Sequence, residues 1–113
     1  MKNKTTEMPE IVCLCGSTRF TEYMMLKQWE LTKQGMIVLS WCVLPDWYVG
    51  NEERSHIGDI ENVREIVDEV HKRKIDLADK IFVINIDGYI GESTKSEIAY
   101  AKRMGKLIEY LET

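Results

Sequence analysis

The sequence predicts one α/β domain, a Rossmann-like (flavodoxin-like) three-layer fold with a parallel sheet of about four strands. Three observations predict it. Short apolar, β-branched runs alternate with longer segments of helical period, the pattern of βαβ units. The runs are continuously apolar, as in strands covered on both faces. Gly35 and Gly105 stand where helices should stop. A chain of 113 residues suffices for one core.

Residues 1–9 are polar and are expected to be a flexible segment, with the domain spanning 10–113. The first strand is predicted near Ile11 to Cys15 and ends at Gly16. Ser17 and Thr18 are natural helix caps. The following helix runs from about Arg19 to Lys33, with Phe20, Met24 and Leu31 close to helical spacing and Trp29 packing against neighbours. Met36 to Ser40 is the second strand. Trp41 to Glu53 reads as a loop, with Pro45, Asp46, Gly50 and Asn51 as turn formers. A helix is predicted over about Asp59 to Leu77, where Ile60, Val63, Ile66, Val67 and Val70 make one apolar stripe. Ile81 to Ile86 is the third strand. A loop with two glycines leads to a last helix starting at Ser93 or Thr94, and Leu107 to Leu111 is the fourth strand. Right-handed crossovers place ligands beyond the C-terminal strand ends. Three loops lie there: 16–19, 41–51 and 87–93.

Composition excludes several functions. The net charge is −4, so no nucleic-acid polymer is expected as partner. Lys72, Arg73 and Lys74 read as a solvated helix face, and His56 as exposed. No apolar run approaches the ~20 residues of a membrane span. The N-terminus has no apolar core, so a cytoplasmic location without membrane contact is expected. Cys13, Cys15 and Cys42 make no disulfide framework. Cys13 and Cys15 share one strand face and read as buried thiols. Their spacing is too tight for a zinc knuckle, and no Cys or His pair completes a ligand set, so no metal is expected.

Two stretches carry candidate chemistry. The turn of Gly16, Ser17, Thr18 and Arg19 follows a strand and opens a helix, where free amides, hydroxyls and a guanidinium suit a phosphate or carboxylate. It is neither a P-loop nor the dinucleotide fingerprint. The plain alternative is a Ser/Thr cap beside a solvent-facing Arg. The second stretch is Gly91 to Glu97. Glu97 near a helix start could serve as nucleophile or stabilise an oxocarbenium-like sugar. Alternatively, Thr94-x-x-Glu97 is a capping box. Trp41, Trp47 and Tyr48 could stack on a nucleobase, pack the loop onto the core or form a dimer contact, and Tyr89 could line the site or anchor its loop.

Here the sequence resembles a family. Gly16-Ser17-Thr18-Arg19-Phe20, the Ala78-Asp79 pair, the loop leading to Glu97-Ile98-Ala99-Tyr100-Ala101, and Gly105-Lys106 are similar to the nucleoside 2-deoxyribosyltransferase family. Its relatives include deoxynucleoside 5′-monophosphate N-glycosidases. The resemblance covers residues 10–20 and 71–111. It implies Glu97 as nucleophile at the sugar C1′. It also implies that the first turn holds the sugar or its 5′-phosphate, with Ser93 and Thr94 beside that group. Where the family has an acid that protonates the leaving base, this chain has His71, which could serve as proton donor or be a surface helix residue. Where a second acid often stands, it has Gly91. The usual last strand and helix are not recognisable. Gly91-x-x-Thr94-x-x-Glu97 also resembles the GGxGTxxE stretch of lysine-decarboxylase-like phosphoribohydrolases, with Ser93 at a glycine position.

Both resemblances point to the N-glycosidic bond of a nucleoside or nucleoside 5′-monophosphate, cleaved or transferred. The expected set is Glu97 and His71 for catalysis, and Gly16, Ser17, Thr18, Arg19, Tyr89, Gly91, Ser93 and Thr94 for substrate. No cofactor is required, and a homodimer or higher homo-oligomer is expected. The alternative is a non-catalytic nucleotide-binding or sensing module of the same fold. A third class is a structural domain in which Glu97 is only a cap.

Overall fold

The computed structural model describes residues 8–42, 44–45, 47–48 and 56–113. Four strands, β1 (Ile11–Gly16), β2 (Ile37–Leu39), β3 (Lys80–Ile84) and β4 (Leu107–Tyr110), form one sheet in the order β2-β1-β3-β4. Every pairing is parallel; Val12 lies opposite Val38 and Lys80, and Ile81 opposite Ile108. The α/β Rossmann-like fold is therefore as expected. The helices are α1 (Thr21–Lys33), α2 (Ile57–Ile60), α3 (Arg64–Leu77) and α4 (Glu92–Arg103).

The pleat of β1 sorts its side chains between two layers. Val12 and Leu14 pack with Phe20, Met24 and Leu31 on the α1 side. Cys13 and Cys15 pack with Ile75, Ile98 and Ala101 on the α3 and α4 side. Both helix stops follow the expected chemistry: Gly35 and Gly105 take φ of 93° and 73° after α1 and α4.

Three expectations are corrected. The helix expected from Asp59 to Leu77 is two helices, because Asn62 adopts a left-handed φ of 59° between them. The predicted apolar stripe is not the buried face of the helix: Ile60, Ile66 and Val70 are exposed, whereas His71 and Ile75 are the buried residues of α3. Period alone marks an apolar face without saying what lies opposite it. Trp29 is 61% exposed, with Lys33 over its ring, and so is not packed inside.

The N-terminal strand ends are held by polar contacts. The Asp79 carboxylate accepts from the Ile11 N–H at 2.8 Å, and Lys80 pairs with Glu10 and Glu109. The chain reverses its direction of travel across the sheet at β1 and β3, so the switch-point crevice opens at their C-terminal ends. Of the loop expected over 41–53, residues 43, 46 and 49–53, among them Asp46, Gly50 and Asn51, lie outside the described residues. So do residues 1–7 of the expected N-terminal segment. Among the described residues no helix is long and apolar enough to cross a membrane.

Candidate functional site

The crevice is a cavity of about 590 Å³. The turn after β1 enters it first. The Ser17 hydroxyl accepts from the Arg19 N–H at 3.2 Å, and Phe20 N–H bonds the Ser17 carbonyl at 2.9 Å. The turn is therefore capped by its own serine, and those two amides are already engaged. The Arg19 guanidinium lies 4.1 Å from the centroid of the Tyr89 ring. Arg19 forms no ion pair among the described residues. Tyr89 in turn meets Phe20 edge-on, with ring centroids 5.9 Å apart. Thr18 hydrogen-bonds the hydroxyl of fully buried Tyr48 at 3.1 Å, so Tyr48 braces the turn.

The two glycines of the site serve packing. A Cβ at Gly16 would lie 3.1 Å from the Ile84 carbonyl oxygen and 3.2 Å from the Trp41 ring. The absent side chain thus lets Trp41 close over the end of β1. A Cβ at Gly91 would lie 3.3 Å from the Tyr89 hydroxyl.

The opposite wall comes from α3 and α4. Gly91 is the N-cap of α4, with the helix starting at Glu92, so Thr94 lies inside the first turn and is not a cap. The capping-box alternative for Glu97 is thereby overturned: Glu97 sits in the second turn, beyond the four free amides of the helix start. Its carboxylate lies at the cavity floor and the residue is 8% exposed. Ser93 is not a free hydroxyl. It accepts from Arg64 and donates to Asp68 Oδ1 at 3.5 Å, which ties the start of α4 to α3.

Glu97 and His71 face one another, with Oε1 3.8 Å from Nε2. His71 is buried, which removes the surface-residue alternative. Burial pushes the Glu97 carboxyl up to about 7, against the opposing pull of the His71 charge. Burial disfavours the His71 imidazolium, but its bond to Cys13 and the charge of Glu97 outweigh that and hold it above the ordinary 6.5. Beneath them lie the Cys13 and Cys15 thiols, 3.6 and 3.5 Å from His71 Nε2. The two thiols divide: Cys15, beside the Cys13 thiol and sealed from water, is pushed well above the thiol range. Cys13, stabilised by the neighbouring Cys15 thiol first and then by His71, is drawn down to about 5.

No protein-family model, curated protein or solved structure matches the chain. The role of each residue therefore rests on its geometry.

The structure brings all ten expected residues, Gly16 to Arg19, His71, Tyr89, Gly91, Ser93, Thr94 and Glu97, to one cavity. Of the aromatic candidates, Trp41 lines it, while Trp47 meets Tyr48 edge-on at 5.9 Å. Three features were missed by the sequence reading. His56 is not exposed as expected: it lines the cavity, and its Nδ1 accepts from the Gly58 N–H at 2.9 Å to cap α2. Ile66, Val67 and Val70 form an apolar wall; the stripe was visible, but its place was not. Cys13 and Cys15 do acquire a third metal-ligand type, since His71 arrives from α3 with all three donor atoms within 4.8 Å of one another. The sequence offers no Cys or His pair to complete four ligands, and the donor that joins the thiols is one residue, His71, 58 positions along the chain.

Proposed function

We propose that the chain cleaves or transfers the N-glycosidic bond of a nucleoside or nucleoside 5′-monophosphate, with Glu97 as nucleophile. The observation that supports this reading is a buried carboxylate at the floor of the cavity whose rim carries Arg19. The apolar wall of Ile66, Val67 and Val70 and the Trp41 ring suit the faces of a base. The Arg19 guanidinium suits a 5′-phosphate.

In the first step a Glu97 oxygen bonds to C1′ as the C1′–N bond breaks, and that electron pair leaves with the base. The base nitrogen takes a proton from His71, whose imidazolium is favoured, against burial, by the Cys13 thiol and then by the Glu97 carboxylate. Water, or the nitrogen of a second base, then displaces Glu97 from C1′ and gives its proton back to His71. Water makes the protein a hydrolase and a base makes it a transferase. Either way the reaction needs no electron acceptor.

The test is a panel of nucleosides and 5′-monophosphates, with released base followed by chromatography. Wild type should release base, and Glu97→Gln should lower the rate by about 10⁴-fold or more, as loss of a nucleophile does. Release that persists in Glu97→Gln removes Glu97 from the mechanism. Thermal stabilisation by a monophosphate without any release would replace catalysis by the nucleotide-binding module.

A further inference from the structure

The glycosidic step forms and breaks no bond to the thiols beneath Glu97. Cys13 and Cys15 are fully buried, yet both are directed at His71 Nε2, at 3.6 and 3.5 Å. Glu97 Oε1 lies 3.8 Å from the same nitrogen. An imidazole nitrogen carries one proton or one lone pair, so as a hydrogen-bonding group it serves one of these three neighbours. A cation among them would serve all four groups.

Two other chemistries fit poorly. In a cysteine–histidine–acid relay the acid meets the second ring nitrogen, whereas here acid and thiols share Nε2. A disulfide is disfavoured too. Residues two apart on a regular strand have Cα atoms about 6.6–6.8 Å apart, at the outer edge of disulfide geometry. A metal ion fits the two sulfur-to-nitrogen distances. With Zn–S near 2.3 Å and Zn–N near 2.05 Å, a tetrahedral site has S···N edges of about 3.5–3.6 Å. Two thiols and an imidazole are the donor set for zinc and similar soft or borderline ions.

We infer that Cys13, Cys15 and His71, with Glu97 in the fourth position, bind a zinc-class ion that switches the glycosidic site off. Bound metal takes the Nε2 lone pair and the Glu97 carboxylate away from the sugar. This switch rests on the function proposed above; the metal site itself does not.

The experiment uses the whole chain, stripped with a chelator and titrated with Co²⁺ and then Zn²⁺. One equivalent of Co²⁺ should give thiolate-to-cobalt charge-transfer absorption and tetrahedral visible bands, and Zn²⁺ should abolish both. The Cys13→Ala/Cys15→Ala variant should lose the charge-transfer band and bind Zn²⁺ at least about 100-fold more weakly, more than loss of an outer-sphere partner costs. If circular dichroism shows that variant unfolded, each single Cys→Ala variant should show about half the band. Failure to bind Co²⁺, or a band that survives loss of both thiols, overturns the metal site. In the parallel base-release assay one equivalent of Zn²⁺ should stop wild type, and chelator should restore it. Base release indifferent to stoichiometric zinc overturns the switch. Metal bound as expected with no base release in any metal state overturns the proposed function and leaves the site standing.

Discussion

The two faces of β1 are one residue apart and serve different ends. On one face Val12 and Leu14 meet Phe20, Met24, Leu31 and Ile84, all apolar. On the other, Cys13 and Cys15 lie beneath an imidazole and a carboxylate that burial makes costly. The first face contributes stability through apolar area and fit. The second carries ionisable groups away from water, which a domain keeps only where neighbouring packing offsets the cost. The difference teaches that in a small parallel sheet one strand can both hold the core and floor the site.

The comparison can be broken most severely on its apolar face. Leu14→Ala should cost about 3 kcal/mol, measured as a shift in urea midpoint, because it removes wholly buried atoms and leaves a cavity. The folded fraction should keep its affinity for a monophosphate.

The polar face should respond with the opposite sign. Glu97 binds its proton more tightly folded, near 7, than its ordinary 4.5. That contribution is fully present below about pH 4.5 and is lost as pH rises through 7. Glu97→Gln should therefore stabilise the metal-free protein by about 2–3 kcal/mol at pH 8, at 1.36 kcal/mol per pKa unit, and by almost nothing at pH 4. Equal melting shifts at both pH values would mean that the carboxylate is not buried from water.

A smaller effect separates the rim from the floor. Arg19→Ala should weaken binding of a 5′-monophosphate by about 1.5–3 kcal/mol by calorimetry, the range of a charge-assisted bond, and leave nucleoside binding almost unchanged. The smallest effect lies at the far end of the sheet. Asp79→Ala removes one exposed bond to Ile11 and should cost about 1 kcal/mol or less in thermal unfolding without altering any binding constant.

Some of this was legible before folding. Gly35 and Gly105 could be recognised as helix stops because few other residues adopt left-handed φ without strain. The buried Phe20, Met24 and Leu31 could be recognised from helical spacing. The turn at Gly16 and the acid at Glu97 could be marked as candidates, since chain order places both at C-terminal strand ends. The destination of the α3 stripe was not legible, because a cavity wall and a core produce the same period. Nor was the break at Asn62, a left-handed residue that carries no glycine to announce it.

The sequence by itself determined strand and helix order, the helix stops and the separation of Val12 and Leu14 from Cys13 and Cys15, because these follow from local sterics and a period of two. Only the tertiary structure decided that His71 and Glu97, from two different helices, converge with both thiols at one nitrogen. Such a meeting depends on how α3 and α4 lie across the sheet, and that is set by packing between distant segments rather than by any residue's near neighbours in the chain.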